Sequence, residues 1–198
     1  MLRGELEELH YIAPIANMRS IGALGILSHR RVAEVEHATI AMPEIQDLRA
    51  RKQVPGGRLL HEYVNLYFHA RNPMMYKRQD QHAELCIVRV SADVLDAPGV
   101  IVTDSNAAAQ DQYVRFAAAP EGLAIVNRAE TYAESWNSPN YFEKCRLRSR
   151  KCAEVLVPDS VEPAFLLGVY VSGPVGEAAF NALGLNLPVA VDAHLFFR

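Results

Sequence analysis

A mixed α+β domain is the fold class this sequence predicts, and three observations carry that expectation. The chain has 198 residues, half of them hydrophobic and 22% charged, a length at which roughly 70% of the unfolded surface is buried around one sizeable core. Its apolar residues gather in short runs such as LCIVRV and VIVT rather than in long helical stripes. Those runs alternate with short helical patterns, and neither an internal repeat nor a low-complexity linker divides them. One domain over residues 1–198 is therefore expected.

Taken in order, residues 10–15 read as a strand. Asn17 is then placed as the N-cap of a helix from Met18 to Ala23 that Gly25 ends. In residues 38–51 Ile45 and Leu48 stand at helical spacing. Pro43 sits in the first turn, Glu44 and Asp47 lie near the start, and Arg49, Arg51 and Lys52 gather around the C-terminal turn. Pro55-Gly56-Gly57 is a turn, and HEYVNLYF (61–68) alternates aromatic and β-branched residues as a strand does. Residues 69–73 form a loop. Buried strands follow at 85–90 and 100–103, separated by the helical turn SADVLD. Residues 107–120, AAAQDQYVRFAAAP, have helical composition, and SWNSPN (135–140) is a polar loop. A strand at 152–158 closed by Pro158, another at 166–171, a helix from Glu177 to Leu183 and a last strand around 189–191 complete the chain.

Composition limits the function classes. The net charge is −3, whereas a protein that grips duplex DNA by neutralising phosphates carries a strongly basic domain; a local basic groove is still compatible. Cys86, Cys145 and Cys152 are odd in number and form no C-x-x-C pair, so neither a disulfide framework nor a zinc knuckle is indicated and a reducing compartment fits. The first twenty residues place charges where a signal peptide needs an apolar core, and no apolar run approaches the roughly 20 residues of a membrane span. A soluble, cytoplasmic protein without membrane contact is expected. Metal spacings are absent as well: His61 and His69 are eight apart across a strand, and no H-E-x-x-H occurs. There is no Walker A loop, G-x-G-x-x-G fingerprint or G-x-S-x-G elbow.

Polar residues inside apolar strands remain as candidates. Glu154 lies within CAEVLVP, where alternation turns it toward the side of Cys152 and Leu156. It reads either as the solvent face of an edge or as a cleft carboxylate able to stabilise positive charge or take a proton. Tyr63, Tyr67 and Phe68 line a pocket or fill a core. Arg71, in a loop, is a phosphate ligand or a solvated charge, and Arg49 is a ligand or an answer to the helix dipole. The run Lys144 to Lys151, with Arg146, Arg148 and Arg150 between, reads as a strip for single-stranded nucleic acid or as an edge strand protected by charge.

Several segments, taken together, resemble the DarT-type DNA ADP-ribosyltransferase toxins. They come in that family's order: YIAPIANMRSIGALGILSH (11–29), IQDLRARKQVPGG (45–57), LLHEYVNLYFHARNPMMY (59–76), VTDSNA (102–107) and KCAEVLVP (151–158). The third is the most specific, with His61, a Tyr-Val pair, Tyr67-Phe68, Arg71, Pro73-Met74 and Tyr76. The resemblance implies an ADP-ribosyltransferase-like split mixed β-sheet with flanking helices and a central cleft for NAD+. It implies transfer of ADP-ribose from NAD+ to a base in single-stranded DNA, with no metal. Glu154 falls on the family's catalytic glutamate, which stabilises the ribosyl oxocarbenium as nicotinamide leaves. Arg49 falls on a required arginine that polarises the acceptor base or grips a phosphate. Tyr11, Ala13, Asn17, Tyr67, Arg71 and Tyr76 fall on or beside the NAD+ pocket, with Tyr67 toward nicotinamide and Arg71 toward pyrophosphate. For DNA the candidates are Arg146, Arg148, Arg150, Lys151 and Asn106. The family also implies a macrodomain antitoxin as partner, and a monomeric toxin is expected.

Two positions depart from the family's pattern. Tyr11 stands where thymidine-modifying members carry a polar or basic residue, often His, and Asn106 stands where a His follows the T-D-x stretch. The acceptor base is therefore open, with thymine first and guanine second, and must be unpaired to be attacked. Two alternatives stay beside this reading: the acceptor is RNA or protein, or the chain is an inactive NAD- or nucleic-acid-binding module.

Overall fold

A computed structural model describes residues 1–109 and 114–198. The elements in chain order are β1 (Glu8–Pro14), α1 (Met18–Leu24), β2 (Ile26–Leu27), α2 (His29–Val32), α3 (Pro43–Arg51), β3 (Tyr63–Tyr67), α4 (Pro73–Lys77), β4 (Leu85–Ser91), β5 (Ile101–Thr103) and β6 (Phe116–Ala118). They continue with α5 (Arg128–Thr131), α6 (Tyr141–Arg150), β7 (Glu154–Pro158), β8 (Ser160–Val161), β9 (Leu166–Val171), α7 (Pro174–Asn181) and β10 (Val189–Val191). Short 3₁₀ turns join several of them, among them Leu60–Glu62 ahead of β3 and Ala92–Asp96 after β4.

Among the described residues the main sheet has eight strands in the order β10-β9-β4-β1-β3-β7-β5-β6, with β10 parallel to β9 and every other pair antiparallel. Its middle joint is the narrow one. β4 accompanies β1 along its whole length, from Glu8 opposite Ser91 to Pro14 opposite Leu85, and β3 accompanies β7 from Tyr63 opposite Pro158 to Tyr67 opposite Glu154. Between β1 and β3 the only paired position is His10 opposite Tyr67. The sheet is thus split there, and the chain on either side diverges into a cleft. That the sheet is split and mixed, with helices around it, agrees with the fold class expected from the sequence.

Alternation divides the side chains between the two faces. Val155 and Val157 of β7 join Leu9, Val88, Val169 and Val171 in the largest cluster, beneath Met18 and Ile21 of α1 and Phe180 of α7. Each such fully buried side chain contributes about 1.5–3 kcal/mol. The opposite face carries two smaller clusters, one with Ile12, Tyr67, Ile87 and Cys152 and one with Leu60, Tyr63 and Leu156. Gly25, at φ 79°, ends α1 and lets the chain turn into β2; a Cβ there would lie 2.1 Å from the Val161 carbonyl oxygen, so the pairing of β2 with β8 requires glycine.

Three local expectations are corrected. The basic run 144–151 is no edge strand. It is the body of α6, started by Asn140, whose side chain accepts from the Glu143 backbone N–H at 3.1 Å, and favoured by basic residues in the last turn. The alanine-rich stretch 107–120 forms strand β6 where it pairs with β5, because sheet pairing overrides helix propensity; its residues 110–113 lie outside the described residues. Asn17 does not cap α1. Its backbone is already helical at φ −83°, ψ −7°, whereas a capping residue needs extended geometry.

Candidate active site

The cleft has a volume of about 440 Å³ and is walled by β1, α1, α3, β3, α6 and the start of β7. That size suits one nucleotide-like ligand and its acceptor. Glu154 and Arg49 lie together in it, buried to 1% and 6% exposure. Arg49 Nη1 donates to Glu154 Oε2 at 3.1 Å and to Oε1 at 3.4 Å, and the Ala107 backbone N–H donates to Oε1 at 3.2 Å. The backbone of Glu154 is fixed too, its N–H donating to Thr103 Oγ1 at 3.1 Å. Glu154 is therefore no solvent-facing edge residue. It sits on a strand paired on both sides, by β3 and β5. Arg49 occupies the last turn of α3 but points inward, so the helix dipole does not account for it. Its second terminal nitrogen, Nη2, is buried without a partner among the described residues. An orphaned guanidinium N–H in a cleft is a donor waiting for a ligand acceptor.

Asn17 holds the cleft's outer rim. Its Nδ2 donates to the Ala38 carbonyl at 2.7 Å and its Oδ1 accepts from the Ala38 N–H at 2.9 Å. Two residues on, Arg78 donates from Nε and Nη2 to the Ile40 carbonyl at 3.0 and 2.6 Å. The stretch around 38–42 is thereby strapped along the cleft from both walls. Tyr11 and Tyr67 line the interior. Burial, and then the negative charge of Glu154, push the Tyr67 phenol well above its ordinary value, and burial also raises Tyr11. Both are neutral surfaces for stacking. Asn106 lines the cleft from the turn after β5, its Oδ1 accepting from the Ala108 N–H at 2.9 Å and its own N–H donating to Ser149 of α6 at 3.0 Å.

The remaining candidates separate. Arg148 lines the cleft from α6. Arg146 and Arg150, on other sides of that helix, are held by Glu130 at 2.6 Å and by Asp104 at 2.5 Å. Lys151 is 1% exposed, and its ammonium is bonded to His69 Nδ1 and to the Thr131 carbonyl, both at 3.0 Å. That burial turns the Lys151 ammonium into the interior and away from the surface open to a strand. Burial drops its pKa to about 8 and, with the lysine beside it, that of His69 to about 3. Arg71 and Tyr76 do not line the cleft. Beyond β3 the chain turns, and the Arg71 guanidinium lies over the Phe197 ring at 4.1 Å while bonding the His194 carbonyl and approaching Glu134 at 3.3 Å. Tyr76 stacks edge-on against Phe197 and Trp136. Ala13 packs in the main core, its carbonyl accepting from Cys86 Sγ.

Sequence reasoning missed His29, Gln46, Met74 and Arg78, all of which line the cleft. Gln46 had a usable signal, being three residues before Arg49 and hence on its helical face. For Arg78 no local pattern would have served, because its partner is set by a loop 38 residues away.

The chemistry open to this cleft is narrow. Cys152 borders it, but burial and the nearby Glu154 push its thiol up to about 12, so it offers no thiolate nucleophile. Among the described residues no three His, Cys, Asp or Glu side chains converge in a metal-holding group, and no helix is long and apolar enough to cross a membrane. A fixed carboxylate beside a guanidinium with one free donor is suited to stabilising a cationic transition state at one atom and charge on an acceptor at another.

Comparison with known proteins bears on the same residues. A DNA ADP-ribosyl transferase–DNA ADP-ribosyl glycohydrolase fusion protein of Thermosipho africanus (strain H17ap60334) is 31% identical over 202 residues, covering 96% of this chain and 49% of its own, so the chain spans about half the length of that relative. A DNA ADP-ribosyl transferase of Thermus sp. (strain 2.9) is 29% identical over 188 residues, 88% of this chain and 86% of its own. Among solved structures, Thermosipho africanus DarTG in complex with ADP-ribose superposes with a TM-score of 0.79 at 28% identity, over 97% of this chain and 51% of that one. Thermus sp. 2.9 DarT in complex with ADP-ribosylated ssDNA superposes with a TM-score of 0.83 at 25% identity, over 97% of both. The family model described as "DarT: ssDNA thymidine ADP-ribosyltransferase" matches residues 10–197, and the chain belongs to that family.

Proposed function

We propose that this chain transfers ADP-ribose from NAD+ to an unpaired base of single-stranded DNA, thymine before guanine, with nicotinamide released. The observation that carries the reading is the buried Glu154–Arg49 pair in the cleft, with Arg49 Nη2 left unpartnered. In the reaction the glycosidic bond between ribose C1′ and nicotinamide breaks, its electron pair leaving with nicotinamide. A base nitrogen then bonds to C1′ and gives up its proton, with the Glu154 carboxylate as the acceptor in the cleft. Glu154 stabilises the positive charge developing on the ribose, and Arg49 stabilises the negative charge left on the base as its proton departs. Thymine N3 is a weak acid, and a guanidinium beside its carbonyl makes that loss easier.

NAD+ is taken up against Tyr11, Tyr67 and the strap held by Asn17, with Ala13 contributing through the backbone of β1. The solved relative bound to ADP-ribose supports the nucleotide half of this assignment. The strand enters past Asn106 and Arg148. Beyond Arg148 on α6, Tyr141 and Phe142 stand 73% and 82% exposed with their rings 5.9 Å apart, side chains on which unpaired bases stack. The relative solved with ADP-ribosylated ssDNA supports that choice of acceptor. The fusion of transferase and glycohydrolase in one relative supports a separate macrodomain partner that removes the mark. A single catalytic domain over 1–198, acting as a monomer in the cytoplasm, completes the reading.

Incubation of the purified chain with NAD+ and mixed-sequence oligonucleotides, followed by intact mass, tests it. One added ADP-ribose on DNA in the wild type and none with Glu154→Ala is the expected result, and fragmentation of the adduct names the base. A wild type that labels RNA or protein but no DNA strand overturns the acceptor.

A further inference from the structure

His61 takes no part in the chemistry above, yet it joins the elements that carry it. Its Nε2 lies 3.1 Å from Gln46 Oε1, so the Nε2–H donates and the tautomer is set. Gln46 stands on α3 three residues before Arg49, on the same helical face, and both line the cleft. The other side of the His61 ring meets His29, with centroids 4.1 Å apart and planes inclined by 39°. His29 begins α2 and also lines the cleft.

These contacts matter because of where His61 sits. It lies in the 3₁₀ turn Leu60–Glu62 that runs directly into β3, and Tyr67 at the far end of β3 is paired with Glu154. Glu154 is therefore positioned against β3 by backbone register. Arg49 belongs to a helix outside the sheet, whose end is tied to the same turn by the Leu60 N–H donating to the Lys52 carbonyl at 2.9 Å. That tie, the Gln53–Leu59 bridge and the Lys52 Nζ bond to the Ala109 carbonyl all lie past the helix end, where they do not by themselves fix the roll of α3 about its axis. A further tie from His61 to Gln46, a turn and a half farther up, stops that roll.

We infer that His61 is a positioning residue for Arg49: its bond to Gln46, backed by the His29 ring, sets the roll of α3 so that one guanidinium nitrogen meets Glu154 and the other faces the acceptor. This inference rests on the proposed function for the identity of the acceptor but not for the geometry. The groups facing the imidazole pair are each other, Arg49 from α3 and, against His29, His37 from the stretch after α2. The neighbouring Glu62 is engaged by Arg30 at 2.6 Å. Burial, followed by His37 and Arg49 for His29 and by His29 and Arg49 for His61, holds both imidazoles below the ordinary histidine value. The pair is neutral at neutral pH, and acid sets a second cation beside Arg49.

Two variants separate positioning from bulk. His61→Phe keeps the stacked ring and loses the donor, while His61→Gln places an amide N–H near the Nε2 position and removes the titration. The readouts are kcat and KM for NAD+ in transfer to a thymine-containing strand between about pH 5 and pH 8, and the side-chain ¹⁵N resonances of Arg49, assigned with Arg49→Lys. In His61→Phe, kcat falls about tenfold or more with KM within about twofold, and the Arg49 resonances shift or broaden. In His61→Gln, kcat and the Arg49 resonances at pH 7 match the wild type while the acid limb moves to lower pH. Unchanged Arg49 resonances in His61→Phe overturn the inference. So does equal loss in both variants, or an acid limb shared by wild type and His61→Gln. If His61→Phe does not fold, the His61→Gln profile still decides. A wild type inert on every strand counts against the proposed function alone, because the Arg49 resonances read positioning without any acceptor.

Discussion

Replacing Glu154 by Gln preserves shape and removes one charge, and the geometry sets the size of both consequences. All three contacts to the carboxylate are donors: two from Arg49 Nη1 at 3.1 and 3.4 Å and one from the Ala107 N–H at 3.2 Å. An amide offers one accepting oxygen, so one donor is left facing an NH₂ group and Arg49 keeps a buried charge without its counter-ion. Losing one partner of a buried ion pair costs about 3–5 kcal/mol, and the retained oxygen argues for the low end. With about 2.1 cal/mol/K of unfolding entropy per residue over 198 residues, a loss of about 3 kcal/mol lowers Tm by about 7 °C. The variant therefore remains folded at room temperature. For catalysis, a full charge about 4 Å from the developing cation at an effective dielectric near 20 is worth about 4 kcal/mol, or about 10³-fold in rate. Single-turnover transfer to an oligonucleotide, read by intact mass beside a thermal melt, measures both. A variant retaining more than about a tenth of the wild-type rate refutes the electrostatic role. A melting point lower by about 20 °C refutes it differently, by making unfolding the cause.

Arg49→Lys keeps the charge but offers a point in place of a fork, so the Glu154 contact survives while the free donor is lost; transfer falls about 10²-fold with Tm nearly unchanged, as kinetics beside a melt will report. Asn17→Ala removes both bonds to Ala38, each worth about 1 kcal/mol, and loosens the strap; the expected outcome in steady-state assays is a severalfold rise in KM for NAD+ with kcat within about twofold. Arg148→Ala lowers the slope of log affinity against log salt for a single strand by about 0.7, seen in titrations at several salt concentrations, with base preference unchanged. Lys151→Met concerns stability against pH. The buried ammonium has its pKa lowered to about 8 from 10.5, so between these values the unfolded chain holds the extra proton and the lysine's contribution to stability rises with pH. Denaturant melts from about pH 7 to 10.5 should show wild type gaining on the variant across that window, and a constant difference would contradict the burial argument.

The strands β1, β3, β4, β7 and β9 were legible because a sheet covered on both faces is built from apolar runs. The start of α6 was not, although Asn140 followed three residues later by Glu143 is a helix-start pattern. Its signal was masked by the basic residues after it, which look alike on a solvated strand and on a helix. Residues 116–118 are alanine-rich and became a strand only because β5 lies beside them.

At the site, Glu154 and Arg49 were singled out by the family resemblance of CAEVLVP and IQDLRARK, the local pattern alone leaving both readings open, and the buried ion pair joins residues 105 positions apart. What local sequence cannot supply is direction. Arg71 lies four residues past the end of β3 while Glu154 begins β7, and its guanidinium covers Phe197 at the C-terminus rather than the cleft. Lys151 belongs to the same basic run as Arg148, yet the turn after α6 buries one and presents the other. The sequence by itself determined which segments are apolar enough to be strands, and its family resemblance singled out Glu154 and Arg49 as the candidates for the chemistry. Only the tertiary structure decided that the sheet splits between β1 and β3, which cations face the opening, and that His61 bonds Gln46 on the helix that carries Arg49. Those features depend on packing between segments far apart in the chain, and periodicity within a segment carries no information about its distant neighbours.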